Sequence, residues 1–337
     1  MRLAAPVSIA AVTFVSAYSV PAPPPLALRV TSVPLNAADP TEIRVGGLRY
    51  RGGLALRSDA PGFGGLSDVR VLDPRGRFVA ISDCGATLTG TLRYDAHGDL
   101  AGVGDAELVP LVGPGGKPLR AGEEDAESLA IGADGTYVVG FEGRHRLWRY
   151  PAGEAPLRTA PSLLEGPQTG GWLKANQGFE GALFLDGDRL LLVSEASVSG
   201  SSNTRAWIGT SGAWEGFPFP LYVAEDAPRE PFRPTALAAL PGGDVLVLER
   251  RYPMIAARLR RVPREAMERR TGLEGTEVAR LEPPLAVDNF EGVDVTRDAD
   301  GRTRVYLLSD DNDCEKWSHR HGTSLQTTLL LSFSLEP

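Results

Sequence analysis

The feature that most constrains the fold of this chain is a hairpin pattern that recurs five times. Each unit has a small polar or acidic residue, a short apolar run, a turn, a second apolar run and a closing acid. The units cover residues 64–83, 125–142, 178–195, 233–249 and 289–310. A repeat sustained at a spacing of roughly 55 residues is typical of a propeller or a solenoid.

The turn chemistry and the lengths between the hairpins favour a propeller. Turn residues such as Asp134-Gly135 and Asp300-Gly301 lie at the hairpin centres, where tight turns require a positive φ. Further strand-like runs follow each hairpin, so each unit can hold the four strands of one blade. We therefore predict an all-β fold, a β-propeller of five four-stranded blades. Six blades is the alternative, and it would need one degenerate blade.

The N-terminal part of the chain predicts export and then closure of the ring. Arg2 precedes an uncharged, largely apolar run that ends in small residues, which is typical of a secretory signal peptide over 1–19. Interrupting polar residues and prolines make a membrane anchor the weaker alternative. We expect a Pro-rich spacer over 20–42, and a single domain over 43–337 whose first strand closes the last blade. The mature protein is then expected to be periplasmic or secreted, without membrane attachment.

The repeat predicts that acids far apart in sequence meet at one end of the ring. Ser67, Glu127, Glu180, Thr235 and Glu291 are taken as equivalent positions at the start of each hairpin. The start of the first strand and the end of the second are neighbours in an antiparallel hairpin. The nine acids expected around the mouth of the central channel are Asp83, Glu127, Glu142, Glu180, Glu195, Glu249, Glu291, Asp310 and Asp311.

So many carboxylates at one place need compensating positive charge, because like charges and burial both raise their pKa. An oxygen-rich cluster without His or Cys ligands suits Ca²⁺ first and Mg²⁺ second. Arginines close to the acids, namely Arg70, Arg144 and Arg250, are candidates to hold a small anionic substrate. The alternative is that the acids pair with arginines and only tie blade to blade.

Six ordered motifs carry a family resemblance. FGGLSD, DAESLAI, NQGFEGA, VLERRY, DNFEGVDV and LLSDDND occur in this order, and the chain resembles the phytase-like (esterase-like activity of phytase) family of exported bacterial β-propeller proteins. The resemblance implies calcium-dependent hydrolysis of phosphoesters. It implies that Glu127, Glu180, Glu291, Asp310 and Asp311 are the site acids, and we assign catalytic roles to Glu127, Glu180, Glu291 and Asp310. The acids left to bind metal are Asp83, Glu142, Glu195, Glu249 and Asp311.

The two cysteines of the chain, Cys84 and Cys314, follow acidic segments of the first and last hairpins. A closed ring makes these hairpins neighbours, and an oxidising compartment would favour a disulfide between them. Two separate thiols are the alternative.

Two functions fit these observations. The first is an exported hydrolase of phosphoester or carboxylic ester substrates, and the second is a non-catalytic propeller that binds a ligand or partner at the same mouth. No G-x-S-x-G motif supports a serine hydrolase. The net charge of −8 argues against nucleic-acid binding. Nothing in the sequence indicates a dimer interface, so a monomer is expected.

Overall fold

Five antiparallel blades of four strands each are arranged in a ring, as the repeat predicts, and two short further strands extend the sheet of the last blade. The structure is a computed structural model, and it describes residues 25–171, 173–174, 177–196, 202–225, 227, 229–253, 255–298, 300–314 and 326–336. The predicted signal peptide, 1–19, lies outside these residues. The fold class and the number of blades predicted from the sequence are confirmed.

Each of the first four blades contains four strands in chain order. Blade 1 contains β4 (Leu66–Val71), β5 (Arg77–Ser82), β6 (Ala86–Tyr94) and β7 (Leu100–Pro110). Blade 2 contains β8 (Ala126–Ile131), β9 (Tyr137–Phe141), β10 (Arg146–Tyr150) and β11 (Ser162–Leu164). Blade 3 contains β12 (Phe179–Asp186), β13 (Arg189–Ser194), β14 (Asn203–Thr210) and β15 (Ala213–Pro220). Blade 4 contains β16 (Arg233–Ala239), β17 (Val245–Arg251), β18 (Ala256–Val262) and β19 (Thr276–Leu281).

Blade 5 is completed by a strand from the other end of the chain. Its first three strands are β20 (Asn289–Arg297), β21 (Thr303–Asp310) and β22 (Thr328–Leu335). The fourth is β3 (Leu48–Arg57), which pairs antiparallel with β22. Two short strands, β1 (Arg29–Ser32) and β2 (Arg44–Val45), pair with β3 in turn. The predicted N-terminal closing strand is therefore present, and it joins the two ends of the ring.

The segment expected to be a spacer is folded over most of its described length. Strand β1 lies on the edge of blade 5, and the side chain of Leu35 is only 1% exposed in the core between blades 4 and 5. Asn36 forms an isolated bridge with Leu285. The apolar side chains of this segment therefore pack on the propeller, and the folded region begins before residue 43.

Five clusters of buried apolar side chains fill the spaces between adjacent blades, one cluster for each interface of the ring. The first strands, β4, β8, β12, β16 and β20, contact one another around the central channel. Because side chains alternate between the two faces of a sheet, each blade supplies apolar groups to both of its neighbours. This packing holds the strand ends of all five blades at fixed positions around the channel.

The described part of the chain contains one α-helix, α1 (Arg264–Arg269), between β18 and β19. No helix in the described ranges has the length and hydropathy needed to cross a membrane.

A disulfide between Cys84 and Cys314 joins blade 1 to the connection between β21 and β22 of blade 5. The two Cα atoms are 5.7 Å apart, although the residues are separated by 230 positions in sequence. The bond lies at the seam of the ring, beside the carboxylate of Asp83. The disulfide therefore joins blades 1 and 5 at the end of the channel where the predicted site acids lie.

Candidate functional site

The first strand of every blade contains a β-bulge near its start. In β8, the pairing with β9 skips Glu127, which lies between Ala126 and Ser128. A bulge bends the strand and re-aims the extra side chain. The extra residues in the other four blades are Ser67, Glu180, Thr235 and Glu291. The five positions that the sequence marks as equivalent are thus the five bulge residues, and they surround one end of the channel.

A second ring of side chains follows the second strands. Phe141 at the end of β9 pairs with Ala126, and Glu142 comes directly after it. The residues at the same register in blades 1, 3, 4 and 5 are Asp83, Glu195, Arg250 and Asp310. We call seven of these residues the mouth acids: Asp83, Glu127, Glu142, Glu180, Glu195, Glu291 and Asp310. The register therefore places one arginine in a position that is acidic in the other four blades.

This register corrects the predicted place of Glu249. It pairs with Pro234, one residue before the mouth position, and its side chain points to the opposite face of the sheet. Its carboxylate is fully buried and pairs with Arg258 Nη1 at 2.6 Å and Arg260 Nε at 2.8 Å. Arg260 also lies over the ring of Phe219 in blade 3. Glu249 thus ties blade 4 to blade 3, and the metal-binding role predicted for it has no support in this geometry.

The mouth acids of blades 2 and 3 form the most concentrated negative charge. Carboxylate oxygens of Glu142, Glu180 and Glu195 lie within 4.8 Å of one another, and so do those of Asp125, Glu127 and Glu142. The backbone N–H of Gly178 donates to Glu142 Oε1 at 2.7 Å and to Glu180 Oε1 at 3.0 Å. Glu142 belongs to both groups, so this half of the mouth is one continuous set of oxygen ligands.

The mouth acids of blades 3 and 5 are compensated from within by Arg250. Its guanidinium lies 3.3 Å from Glu291 Oε1 and 3.5 Å from Glu195 Oε2, and it donates a hydrogen bond to Asn289 Oδ1. Asn289 in turn donates to Glu291 Oε1 at 2.8 Å and to Asp310 Oδ2 at 3.4 Å. This half therefore combines carboxylates with a fixed cation and an amide.

Burial and mutual repulsion raise the pKa of the mouth acids. Burial raises the pKa of Glu180 well above its usual range, and the charges of Glu142 and Glu195 raise it further. Burial also raises the pKa of Glu142, to about 7. For Glu291, burial raises the pKa but the charge of Arg250 acts in the opposite direction. Without added cations, the mouth therefore retains protons that free carboxylates would lose.

Arg70, predicted to bind substrate at the mouth, lies deeper in the channel. Its guanidinium pairs with Asp68 Oδ1 at 2.6 Å and donates to Val293 O at 3.0 Å. It also donates to carbonyl oxygens of blades 3 and 4, those of Ala182 and Leu237. With a residue exposure of 7%, Arg70 joins four blades beneath the mouth. Its length and its position three residues beyond a bulge carry it to the channel axis rather than to the surface.

The remaining predicted residues lie at the margin of the mouth. The side chain of Arg144 is 78% exposed and pairs with Glu123 at 3.2 Å. Asp311 accepts hydrogen bonds from the Gly65 N–H at 3.0 Å and from Thr328 Oγ1 at 2.8 Å. These bonds hold the seam between blades 5 and 1, although the charge of Asp311 also raises the pKa of Asp83.

Two mouth residues were missed by the sequence analysis. Asp125 lies two positions before the bulge residue Glu127, and Asn289 lies two positions before Glu291. Residues two apart in an extended segment point to the same side. This two-residue period is visible in the sequence, and following it back from Glu127 and Glu291 would have predicted both residues.

The donor set of the mouth fits a hard divalent cation. Calcium takes six to eight oxygen ligands at 2.3–2.6 Å, and three oxygens within 4.8 Å of one another can all reach one ion at that distance. The bulge residues and the residues after the second strands provide carboxylate oxygens from several blades. The residues that would hold the cation are therefore Asp125, Glu127, Glu142, Glu180 and Glu195.

The family model described as esterase-like activity of phytase, Phytase-like, matches residues 61–313, which is most of the chain. This range contains all seven mouth acids and Arg250. No curated protein sequence matches the chain.

Solved structures to which the chain is similar include U3-55K, which is 10% identical with a TM-score of 0.43, over 88% of this chain and 99% of that chain. Another is the PQQ-bound aldose sugar dehydrogenase from Streptomyces coelicolor, 12% identical with a TM-score of 0.41, over 93% of this chain and 100% of that chain. The likeness to both is one of fold only.

Proposed function

This chain belongs to the phytase-like family, described by the esterase-like activity of phytase, and we propose that it hydrolyses phosphoester or carboxylic ester substrates at the channel mouth. The observation that carries the proposal is the convergence of seven carboxylates from blades 1, 2, 3 and 5 on one mouth, together with Arg250 from blade 4. A purely structural set of acids would be paired one by one, as Glu249 is with Arg258 and Arg260.

The proposed cofactor is Ca²⁺, held where the carboxylates of blades 2 and 3 lie closest to one another. When bound there, it would supply a Lewis acid that polarises the ester oxygen and lowers the pKa of a coordinated water. Glu142 lies at the centre of the ligand set, since it belongs to both groups of close carboxylates. The N–H of Gly178 orients it together with Glu180.

Residues of the chain bind the substrate, position the carboxylates and transfer protons. Arg250 presents a guanidinium toward the mouth, and an arginine fork is suited to the oxygens of a phosphoryl group. Asn289 keeps Glu291 and Asp310 in place beside it. Glu291 and Asp310, which are not among the proposed cation ligands, are the carboxylates proposed to hold or accept a proton during the reaction, because burial raises the pKa of each.

A hydrolysis panel tests this proposal. The substrates are a phosphomonoester, a phosphodiester and a carboxylic ester, each assayed in EDTA and in added calcium. We expect turnover of at least one class that requires calcium, and a loss of about a hundredfold or more in Glu180→Gln. Glu154→Gln is the matched control, because Glu154 is an exposed loop residue far along the chain from every bulge. Circular dichroism establishes that each variant folds.

The second candidate, a non-catalytic binding propeller, is separated by the same panel. Calcium binding without turnover of any substrate class would support ligand capture at the mouth and contradict catalysis. Turnover that is unchanged in Glu180→Gln and in EDTA would place the activity elsewhere in the molecule.

The proposal includes export to the periplasm or the medium and action as a monomer. The apolar N-terminal sequence and the Cys84–Cys314 disulfide support an oxidising compartment. Expression in a Gram-negative host with and without residues 1–19, followed by fractionation, tests export. A cytoplasmic location of the full chain would contradict it.

A further inference from the structure

A cavity of about 200 Å³ lies between blades 5 and 1, at the other end of the strands that line the channel. Strand β20 carries Glu291 near its start and ends at Arg297, which lines this cavity. Since a strand rises about 3.3 Å per residue, the cavity and the mouth are roughly 20 Å apart. We call it the basic cavity, and it is separate from the site described above.

Aromatic hydroxyls and a buried guanidinium form its inner wall. The Tyr94 and Tyr306 hydroxyl oxygens are 2.7 Å apart, and either one can be the donor. The side chain of Thr296, which also lines the cavity, forms a further hydrogen bond with Tyr306. Arg304 is 4% exposed, and its guanidinium lies 5.4 Å from the centre of the Tyr94 ring. The wall therefore offers hydrogen-bond donors in a partly desolvated setting.

The charges around the cavity are not balanced. The arginines that line it are Arg51, Arg297, Arg302 and Arg304. Arg51 pairs with Asp99 at 2.7 Å and Arg302 with Asp300 at 3.1 Å. Arg304 pairs more loosely, with Asp298 Oδ2 at 3.5 Å, and it donates to Ser332 Oγ at 3.2 Å.

Arg297 has less neighbouring negative charge than the other arginines that line the cavity. It donates to the carbonyl of Gly301 at 2.8 Å, and no carboxylate in the described part of the chain forms an ion pair with it. The lining carboxylate of Asp73 is already bonded to Arg77 at 2.7 Å. Positive charge thus exceeds negative charge here, although the whole chain carries a net charge of −8.

We propose that the basic cavity is a second binding site, which takes a small oxyanion without the help of a metal. Arginine forks and hydroxyl donors match the oxygens of a phosphate or a carboxylate. The volume suits a single anionic group with a small organic body, since drug-sized ligands occupy about 300 Å³ or more. The two ends of the propeller then have opposite preferences, with cations at the mouth and anions in the cavity.

Isothermal titration of inorganic phosphate in EDTA tests the proposal, with acetate titrated in parallel. We expect wild-type protein to bind at least one of the two anions, and Arg304→Gln to bind it about tenfold or more weakly, the loss of one charge-assisted hydrogen bond. Binding of phosphate alone would identify a tetrahedral anion, and binding of acetate would identify a carboxylate. Arg269→Gln is the control, because Arg269 is 72% exposed on α1, and its affinity is expected to stay within twofold of wild type.

Arg297→Gln provides a second variant, since Arg297 is exposed and its replacement is compatible with folding. We expect about threefold weaker binding from it, measured on protein with a native circular dichroism spectrum. Glu180→Gln should bind the anion as wild type does, which keeps this test independent of the mouth. The proposal is overturned if wild-type protein binds neither anion in EDTA, or if Arg304→Gln and Arg297→Gln both bind as wild type does.

Discussion

The two halves of the channel mouth are built on the same plan but differ in how their charge is balanced. In blades 2 and 3, a carboxylate oxygen of Glu142 lies within 4.8 Å of oxygens of Asp125 and Glu127, and within 4.8 Å of oxygens of Glu180 and Glu195. Toward blades 4 and 5, Arg250 lies between Glu195 and Glu291. One half therefore brings carboxylates close to one another, and the other places an arginine between them.

This difference shows how a symmetric scaffold makes an asymmetric site. Each blade offers a bulge residue and a second-strand end, so the ring supplies ten equivalent positions. Replacing one acid by Arg250 and two others by the hydroxyls of Ser67 and Thr235 divides them into a cation-binding half and an anion-facing half. A phosphoester requires both, because its leaving and equatorial oxygens are negative and its reaction benefits from a Lewis acid.

The largest expected effect is that of Arg250→Met in EDTA at pH 7. Removing the internal cation leaves the partly buried Glu195 and Glu291 uncompensated, and we expect a loss of about 2 kcal/mol of unfolding free energy. Urea denaturation measures this loss. Arg144→Met is the control and should change stability by less than about 0.5 kcal/mol, because its side chain is 78% exposed. Equal losses in both variants would contradict the assigned role of Arg250.

Glu142→Gln should weaken calcium binding but raise the unfolding free energy in EDTA, where Arg250→Met lowers it. We expect calcium affinity, measured by titration calorimetry, to fall about tenfold or more, because this residue belongs to both carboxylate groups. In EDTA the same variant should be more stable than wild type, since one repelling charge is gone. Glu291→Gln should weaken calcium binding less than Glu142→Gln does. The reverse order would place the cation in the Arg250 half.

The dependence of stability on pH should differ between protein in EDTA and protein in calcium. Burial raises the pKa of Glu142 to about 7, whereas an unfolded glutamate titrates near 4.5. Between these values the native state binds more protons, so the unfolding free energy in EDTA should decrease as pH rises from about 4.5 to 7. Calcium replaces those protons and should flatten the dependence. Denaturation curves at several pH values, with and without calcium, measure it, and stability that rises with pH in EDTA would refute it.

The smallest expected effect on the mouth is that of Glu249→Gln. Its carboxylate faces Arg258 and Arg260 in the blade interface, so calcium affinity should remain within about twofold of wild type even though the fold is destabilised. Calorimetric titration at a temperature where the variant is folded measures this. A tenfold loss of calcium affinity would restore Glu249 to the metal site.

Much of this arrangement could be predicted from the chain alone. The hairpin repeat gave five blades, and the five aligned first positions proved to be the five bulge residues. The error at Glu249 came from aligning the last acid of each hairpin. In every blade the mouth position is the fifth residue after the first apolar residue of the second strand, and in blade 4 that residue is Arg250. Counting along the strand would have avoided the error.

By itself the sequence determined the number of blades, the strand that closes the ring and the residues that bend each first strand. These follow from local turn chemistry and from a repeat that needs no knowledge of distant contacts. Only the tertiary structure decided which side chains share the mouth, since a shift of one residue along a strand turns a side chain to the opposite face. The tertiary structure also decided that the Arg70 side chain lies across the channel, because the carbonyl oxygens to which it donates hydrogen bonds come from three other blades.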